Sequence, residues 1–297
     1  MIFQKLFKSP LDQAHYIQHG FVKKQLLDKT QVDAVLKELL LLKPDDGYSP
    51  QRVGASNYHC TFLDTNEAYK RATNELFKSV FNPIVQNHFV DYHVWNGNFY
   101  VKPPGAGKFE IHQNWTHVKE ERFTSFTMWC PLVDTTIVNG TIALVKGSHK
   151  ILPDIATLDV PYYFNNFEDA LMNSYLEPIP CRAGEAVIFE DGVIHFSDIN
   201  KSDAPRYALQ ILIGPSYTKP VYYYFDKANP DKGFEVFEIN EDFFMKTNYL
   251  NFKNRPQHQH SIGFVPNHNQ LITEAEFTQA LSNGEQRRRQ VYGIEPA

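Results

Sequence analysis

"HVWNGNFYVKPPGAGKFEIHQNW", residues 93–115, places two runs rich in aromatic and β-branched residues on either side of a Pro/Gly segment. This pattern predicts a strand, a turn and a second strand. Short strands at this spacing are typical of a sandwich or jelly roll rather than of βαβ units, so residues 91–215 are predicted to form a jelly-roll core. The same texture continues in four stretches: "FTSFTMWCPLVD" (123–134), "GTIALVKGSH" (140–149), "EAVIFEDGVIHFSDIN" (185–200) and "RYALQILIGPSY" (206–217).

The sequence on either side of this core has a different texture. Residues 1–90 contain two segments with apolar residues at helical spacing, which are expected to pack as helices outside a sheet. Asp28 or Thr30 is predicted to cap the first segment, and Pro83 to interrupt the second. Residues 216–297 alternate aromatic-rich pieces with polar loops and are predicted to wrap the core or form a lid. Because no repeat or low-complexity linker divides the chain, residues 1–297 are predicted to be one mainly β domain with flanking helices.

Composition limits the partners and the compartment. The formal net charge of −5 disfavours nucleic acid or an anionic membrane as the main partner, and the basic run at 287–289 is interpreted as a solvated helix end. No stretch approaches the ~20 apolar residues that a membrane span needs, and the start lacks the pattern of a secretory signal. Three cysteines at spacings of neither a disulfide framework nor a zinc ribbon are predicted to be buried, reduced thiols. A cytoplasmic protein with a small-molecule substrate is therefore expected.

Candidate metal ligands occur at the ends of two predicted strands. Alternate side chains of a strand share a face, so His112 and Asn114 are expected to point the same way. His195 ends a later strand with Ser197 on its face, and Arg206 follows the polar turn "NKSDAP" (200–205), which is expected to bring back an antiparallel strand. Two imidazoles, an oxygen ligand and a guanidinium would make an open metal site with an anion clamp.

Non-haem Fe(II) oxygenases need this arrangement. Three protein ligands on one face leave three positions free, two for a chelating 2-oxoacid and one for dioxygen. The planar fork of arginine binds the far carboxylate of 2-oxoglutarate in a bidentate way, which lysine cannot reproduce. A single histidine would be a weak signal, whereas the ordered set of His112, His195 and Arg206 is a much stronger one.

At these residues the chain resembles the phytanoyl-CoA dioxygenase family of Fe(II)/2-oxoglutarate-dependent oxygenases. The resemblance implies a cupin-like double-stranded β-helix that uses Fe(II), 2-oxoglutarate and O2. It is carried by "KPPGAGKFEIHQNWTHVKEE" (102–121), "FTMWCPLVDTTIVNGTIALVKGSHK" (126–150) and "GEAVIFEDGVIHFSDINKSDAPR" (184–206), with weaker likeness in "HYIQHGFVKKQLLDKTQVDAV" (15–35).

The resemblance also implies roles for single residues. His112, His195 and position 114 would hold Fe(II). Arg206 and Ser197 would bind the C5 carboxylate of 2-oxoglutarate. The residues implied near the cosubstrate or in the pocket wall are Tyr100, Asn96 and Trp129. Lys146 stands where the family usually has proline, so it would face either substrate or solvent.

Asn114 departs from the family pattern, which has a carboxylate at that position. The amide can coordinate through its oxygen, swing away to leave room for water or halide, or weaken the site until the protein only binds. Halogenating relatives have Gly or Ala there, and Asn is larger, so halogenation is the less favoured hypothesis. Glu110 or Asp191 could supply a replacement carboxylate, but each is expected to be a surface or turn residue.

The other histidines are not expected to be metal ligands. His117 differs in parity from His112, which favours a structural or substrate-facing role, and His149 is expected to be a turn residue. His258 and His260 lack a further ligand pattern, so an exposed loop is expected there. Trp115 is expected in the core or the pocket wall.

The leading functional hypothesis is therefore a 2-oxoglutarate-dependent dioxygenase that hydroxylates an unactivated C–H bond of a small, partly apolar metabolite. The alternatives are a non-catalytic or metal-impaired 2-oxoglutarate-binding jelly-roll protein and, less favoured, a halogenase. Asn114 is the residue on which these alternatives depend.

Overall fold

The helices and strands of the chain were obtained from a computed structural model that describes residues 5–49, 51–53, 56–119, 123–151 and 155–282. The basic run at 287–289 lies outside these residues, so the predicted helix end there is not tested. The helices are α1 (Pro10–His19), α2 (Lys29–Leu41), α3 (Glu67–His88), α4 (Glu168–Ala170), α5 (Glu241–Lys246) and α6 (Glu274–Ser282).

The strands account for most of the remaining regular structure. They are β1 (Phe21–Gln25), β2 (Gln51–Val53), β3 (Ser56–Cys60), β4 (Tyr92–Lys102), β5 (Phe109–His112), β6 (Phe126–Pro131), β7 (Ile142–Val145), β8 (Leu176–Pro178), β9 (Glu185–Glu190), β10 (His195–Ser197), β11 (Arg206–Pro215), β12 (Val221–Phe225), β13 (Phe234–Glu238) and β14 (His260–Val265).

Two antiparallel sheets form the core. The larger has the order β1-β9-β6-β11-β4-β3-β2, and the smaller has the order β5-β10-β7-β8. Side chains from both sheets share one apolar cluster, which includes Val187 and Ala208 of the larger sheet and Leu144 of the smaller. Successive strands β9, β10 and β11 alternate between the sheets, as in a jelly roll. The predicted mainly β jelly-roll fold with flanking helices is confirmed.

The strand that follows the polar turn at 200–205 does not return beside β10. It crosses to the larger sheet, where β11 pairs with β4 and β6. Both edges of β10 are already occupied by β5 and β7, so the chain must leave that sheet. This crossing brings the start of β11 opposite the end of β10.

The N-terminal helices cover the outer face of the larger sheet. Asp28 caps α2, and it forms a capping box with Gln31. Helix α3 continues through Pro83, so the predicted interruption is wrong. An interior proline costs about 3 kcal/mol, but fully buried side chains of α3 such as Phe77 and Phe81 each contribute roughly 1.5–3 kcal/mol by packing against this sheet.

The C-terminal part of the chain adds a third sheet, β12-β13-β14, and two helices. Phe243 and Phe244 of α5 join an apolar cluster with Tyr222 of β12, against which Trp115 packs. Phe277 of α6 packs in another cluster with Ile111 and Phe196 of the smaller sheet. The segment therefore packs on both sides of the end of β5.

The three cysteines, Cys60, Cys130 and Cys181, are buried and free, as predicted. Among the described residues, the helices are all too short or too polar to cross a membrane.

Candidate functional site

An inner cavity of about 60 Å³ between the two sheets contains most of the residues predicted from sequence. Its walls include His112 at the end of β5, His195 at the start of β10 and Arg206 at the start of β11. The register of β5 with β10 sets His112 directly opposite His195. The other predicted residues in these walls are Asn114, Ser197, Tyr100 and Trp129.

The two imidazoles are held in one tautomer. Their ring centroids lie 4.1 Å apart. Nδ1 of His112 donates to the carbonyl oxygen of Glu110 at 2.6 Å, and Nδ1 of His195 donates to that of Val193 at 2.9 Å. A ring N–H directed at a carbonyl leaves Nε2 as the unprotonated nitrogen. Burial lowers the pKa of both rings, so both are neutral and present Nε2 as a metal ligand.

Asn114 lies just beyond the end of β5 and is fixed by hydrogen bonds. Its backbone N–H donates to the carbonyl oxygen of Asp191 at 3.1 Å. Its Nδ2 donates to Thr127 Oγ1 at 2.7 Å and to Asp191 Oδ1 at 3.2 Å. Its Oδ1 accepts from Gln210 Nε2 at 3.3 Å. The amide is thus held in the cavity wall with its oxygen on the side of Gln210.

Asp191 is a buried carboxylate next to this amide. It occupies the turn between β9 and β10 and is 4% exposed. Its oxygens accept from Ser125 Oγ at 2.5 Å and from Thr127 Oγ1 at 2.7 Å, in addition to Asn114. Burial raises its pKa to about 6 against these hydrogen bonds. The expectation of a surface or turn residue is right about the turn and wrong about the surface, because neighbouring hydroxyls satisfy the carboxylate inside the protein.

Two buried basic side chains lie beside Ser197. Lys102 and Arg206 are register partners on β4 and β11. Lys102 Nζ donates to Ser197 Oγ and to the carbonyl oxygen of Asp198, both at 2.6 Å. Arg206 Nη1 donates to the carbonyl oxygen of Gly140 at 3.1 Å. Within the described part of the chain, Arg206 Nε has no hydrogen-bond partner, and neither basic side chain forms an ion pair with a carboxylate.

Among the described residues the Arg206 charge has no carboxylate partner, which suits this corner to an anion. Burial, with the nearby Arg206 charge, lowers the pKa of Lys102 to about 5, and burial lowers the pKa of Arg206 to about 9. Buried cations are stable when they are paired. A carboxylate would pair with the guanidinium and satisfy its free Nε–H.

Gly140 shapes the same corner. Its carbonyl oxygen accepts from Ser197 Oγ at 2.7 Å as well as from Arg206. Its φ is +69°, and a Cβ at this position would lie 2.2 Å from the carbonyl oxygen of Asp198. Only glycine brings this carbonyl so close to both side chains.

An outer cavity of about 240 Å³ adjoins the inner one and shares His112, Asn114 and Tyr100 as walls. Asn96 lies in this outer cavity, and its buried Oδ1 has no partner among the described residues. The outer walls are rich in aromatic residues, which include Phe62, Trp115, Phe243, Phe244 and Phe252. The last three come from the C-terminal segment, so that segment completes the chamber next to the histidines.

The remaining sequence candidates lie apart from His112 and His195. His117 lines the outer cavity, and its Nδ1 donates to the carbonyl oxygen of Val221 at 3.0 Å. Lys146 forms an ion pair with Glu177 at 2.7 Å on the surface, and Glu110 forms one with Lys108 at 2.8 Å. The other predicted residues are the exposed His258 and His260, the second of which begins β14, and the buried His149 in a short 3₁₀ turn.

Sequence reasoning missed Lys102 and Gln210. Lys102 shares a strand face with Tyr100, and Gln210 shares one with Arg206. A lysine on the same face as a predicted pocket residue was therefore an available signal. Gln210 Oε1 accepts from the Tyr100 hydroxyl at 2.8 Å, which links this residue to the Asn114 amide.

A second group of possible ligands lies away from the cavities. Asp46, His59 and Asp64 have ligand atoms within 4.8 Å of one another. His59 Nδ1 donates to Asp46 at 2.6 Å, and its Nε2 accepts from the Tyr69 hydroxyl at 2.9 Å. Both ring nitrogens are thus occupied, and the group is satisfied as a hydrogen-bond network.

The residues of the inner cavity fit a metal with a carboxylate cosubstrate. Two neutral imidazoles and one amide oxygen are nitrogen and oxygen donors of the type that ferrous iron accepts, with open space in front of them. The unpaired guanidinium and the Ser197 hydroxyl fit a carboxylate.

Comparisons with known proteins identify the family of the chain. The family model described as Phytanoyl-CoA dioxygenase (PhyH) matches residues 16–208. Over 110 residues the chain is 27% identical to the phytanoyl-CoA dioxygenase domain-containing protein 1 homolog of Dictyostelium discoideum. That match covers 35% of this chain and only 39% of the relative.

Solved structures share the fold. The non-heme alpha ketoglutarate dependent carbocyclase SnoK from nogalamycin biosynthesis is 19% identical, with a TM-score of 0.52 over 72% of this chain and 86% of that chain. The epimerase SnoN, solved with Fe3+, alpha ketoglutarate and nogalamycin RO, is 20% identical, with a TM-score of 0.52 over 71% and 84% of the two chains. These likenesses confirm the cupin-like fold.

Proposed function

The chain belongs to the phytanoyl-CoA dioxygenase family, and from this premise we propose that it is an Fe(II)- and 2-oxoglutarate-dependent oxygenase that hydroxylates an unactivated C–H bond of a small metabolite. One observation carries the proposal. Two neutral, opposed imidazoles, His112 and His195, share a cavity with the buried and carboxylate-free Arg206.

His112 and His195 would hold Fe(II) through Nε2, and Asn114 would hold it through Oδ1. The carbonyl oxygens that accept from Nδ1 orient each ring and increase its basicity as a ligand. When bound, Fe(II) and 2-oxoglutarate supply the oxidation chemistry, in which O2 is reduced, the 2-oxoacid loses CO2 and a substrate C–H bond is hydroxylated.

A second group of residues in the inner cavity would bind the far carboxylate of the cosubstrate. Arg206 would donate to the C5 carboxylate of 2-oxoglutarate, and Ser197 would do so once its hydroxyl turns from the Gly140 carbonyl oxygen. Lys102 Nζ, which donates to Ser197 Oγ, would hold that hydroxyl in place. The ring centroid of Trp129 lies 5.4 Å from the Arg206 guanidinium carbon, within the range of a cation–π contact. Tyr100 would form the wall between cosubstrate and substrate, since it lines both cavities.

The outer cavity would hold the substrate. Its aromatic walls exclude water from the reacting carbon and favour an apolar ligand, while Asn96 Oδ1 offers an acceptor for one hydroxyl or amide donor. Along this wall the ionisable residues are Asp191, His112 and His117, besides phenols and a thiol, and none carries a fixed positive charge. A neutral, partly apolar metabolite fits these walls.

The alternative function is that of a 2-oxoglutarate-binding protein with an impaired metal site, and Asn114 is the observation that favours it. An amide oxygen carries no charge and binds Fe(II) more weakly than a carboxylate does. Halogenation is disfavoured, because Asn114 is held in place by Thr127, Asp191 and Gln210 and leaves no vacant position for a halide.

The proposal is tested by anaerobic titration of the protein with Fe(II) and 2-oxoglutarate, followed by exposure to O2 and ascorbate. We expect the weak visible charge-transfer band of the chelate and formation of succinate, both lost in His195→Ala. Binding of 2-oxoglutarate without band or succinate would support the alternative function. A protein that neither binds 2-oxoglutarate nor forms succinate would contradict both the oxygenase function and the alternative function.

A further inference from the structure

We propose, resting on the function proposed above, that Asp191 is the positioning residue of the oxygen ligand. Its hydrogen bond fixes the Asn114 amide with the amide oxygen turned into the cavity of the two histidines. Its carboxylate, which contacts Asn114, supplies the negative charge that the amide lacks. At this site the negative charge therefore lies on Asp191, which holds the oxygen ligand, and not on the ligand Asn114 itself.

The direction of the amide follows from the hydrogen bonds around it. Ionised Asp191 can only accept, so the group next to it must be the Asn114 NH2, as found at 3.2 Å. The Thr127 hydroxyl already donates its proton to Asp191, so it can only accept from Asn114. With the amide reversed, the oxygen of Asn114 would face a carboxylate oxygen and a hydroxyl lone pair.

The other end of the network agrees. The Tyr100 hydroxyl donates to Gln210 Oε1, which leaves Gln210 Nε2 to donate to Asn114 Oδ1. Burial raises the pKa of Tyr100 well above its usual value, so the phenol keeps its proton. The two anchors, Asp191 and Tyr100, therefore select the same orientation of both amides. Asn114, with its oxygen turned towards Gln210, lines the inner cavity together with His112, His195 and Gln210.

Asp191 is not itself placed as the third ligand. Among the described residues, its carboxylate does not come within 4.8 Å of both histidine nitrogens as one ligand group. Its oxygens are also occupied by Ser125, Thr127 and Asn114. In the described part of the chain, no cation forms an ion pair with it, so its charge stays available to a metal bound beside Asn114.

The test measures Mn(II) affinity by calorimetry in the full chain, without turnover. We expect Asp191→Asn to weaken Mn(II) binding roughly 10- to 100-fold, the range found when a group that orients a metal ligand is lost. Glu177→Gln is the matched control. It removes the same charge from β8 of the smaller sheet, but its side chain is 54% exposed and pairs with Lys146, so we expect less than a twofold change.

A double-mutant cycle separates positioning from general structure. In the Asn114→Asp background the ligand carries its own charge and needs no orientation, so Asp191→Asn should there cost less than threefold. This double variant keeps one carboxylate and every hydrogen-bonding atom, so it remains informative where the single variant fails to fold, which circular dichroism checks.

The outcomes are distinct. If the unmodified protein binds no Mn(II), the proposed metal site fails and this inference fails with it. If the protein binds Mn(II) and Asp191→Asn behaves like Glu177→Gln, or costs the same factor in both backgrounds, only the role of Asp191 is overturned. The same loss in the double variant as in the single variant would assign Asp191 to structure alone.

Discussion

Lys102 and Arg206 stand opposite each other on neighbouring strands, and both side chains are buried. Two basic side chains in directly opposed, buried positions cannot both stay charged without a counter-ion, and among the described residues neither pairs with a carboxylate. A dicarboxylate cosubstrate would supply that counter-charge.

Replacing Arg206 should remove most of the affinity for 2-oxoglutarate. Arg206→Gln leaves the C5 carboxylate without its charged donor, which we expect to cost about 2–4 kcal/mol, or roughly 30- to 1000-fold in Kd. Calorimetric titration of the Mn(II)-loaded protein measures it. Lys201→Gln removes an equal charge from an exposed pair with Asp198 and should leave the Kd unchanged. A Kd within threefold of the original in Arg206→Gln would contradict the assignment.

Binding of 2-oxoglutarate should be accompanied by proton uptake. Burial and Arg206 hold the pKa of Lys102 at about 5, against a small opposing effect of Asp198, so the free amine is neutral at pH 7. A neighbouring carboxylate raises this pKa, and in the window between the two values the complex binds more protons than the free protein. Affinity therefore falls as the pH rises through that window.

Calorimetry in buffers of different ionisation enthalpy measures this proton uptake. The protein is saturated with Mn(II), so that the histidines do not titrate during the experiment. We expect up to one proton per ligand at pH 7, and a clear decrease in Lys102→Met. Equal uptake in the two proteins would show that another group titrates.

Gly140 should tolerate no side chain. Gly140→Ala combines a positive φ with a Cβ 2.2 Å from a backbone oxygen, so we expect a loss of about 2–4 kcal/mol in the free energy of unfolding together with weaker 2-oxoglutarate binding. Gly105→Ala is the matched control, because its φ is +74° but nothing lies within 4 Å of its Cβ. It should lose only about 1 kcal/mol in urea unfolding. Equal losses would mean that the close approach is harmless.

Tryptophan fluorescence should report the two cavities separately. Trp129 lies under the Arg206 guanidinium in the inner cavity, whereas Trp115 lines the outer one. We expect 2-oxoglutarate to change the emission, with the greater part of the change lost in Trp129→Phe and kept in Trp115→Phe. The reverse pattern would place the cosubstrate in the outer cavity.

The sequence was informative where periodicity and spacing act locally. Strand alternation grouped His112 with Asn114 and His195 with Ser197, and the N-cap of α2 was found at Asp28. Pro83 was misjudged because local propensity alone does not include the packing of α3 against the larger sheet. The division into one domain with a helical N-terminal part stays a prediction.

What the sequence could not provide was the contacts between distant strands. The partner of β11 depends on which edges of the smaller sheet are already taken, and this follows from the whole topology. For the same reason the sequence predicted Asp191 to be a surface or turn residue. Its burial results from Ser125 and Thr127 on β6 and the loop before it, residues that carry no mark of this role in the sequence.

In the proposed metal site, the register pairing of His112 with His195 also determines when metal can bind. The two rings belong to strands far apart in the sequence, so no fragment that ends before residue 195 of the 297 can present both. Metal binding at this site would therefore follow folding of the sandwich. An ion that binds afterwards would stabilise the folded state by mass action, so thermal stability would rise with the concentration of free metal.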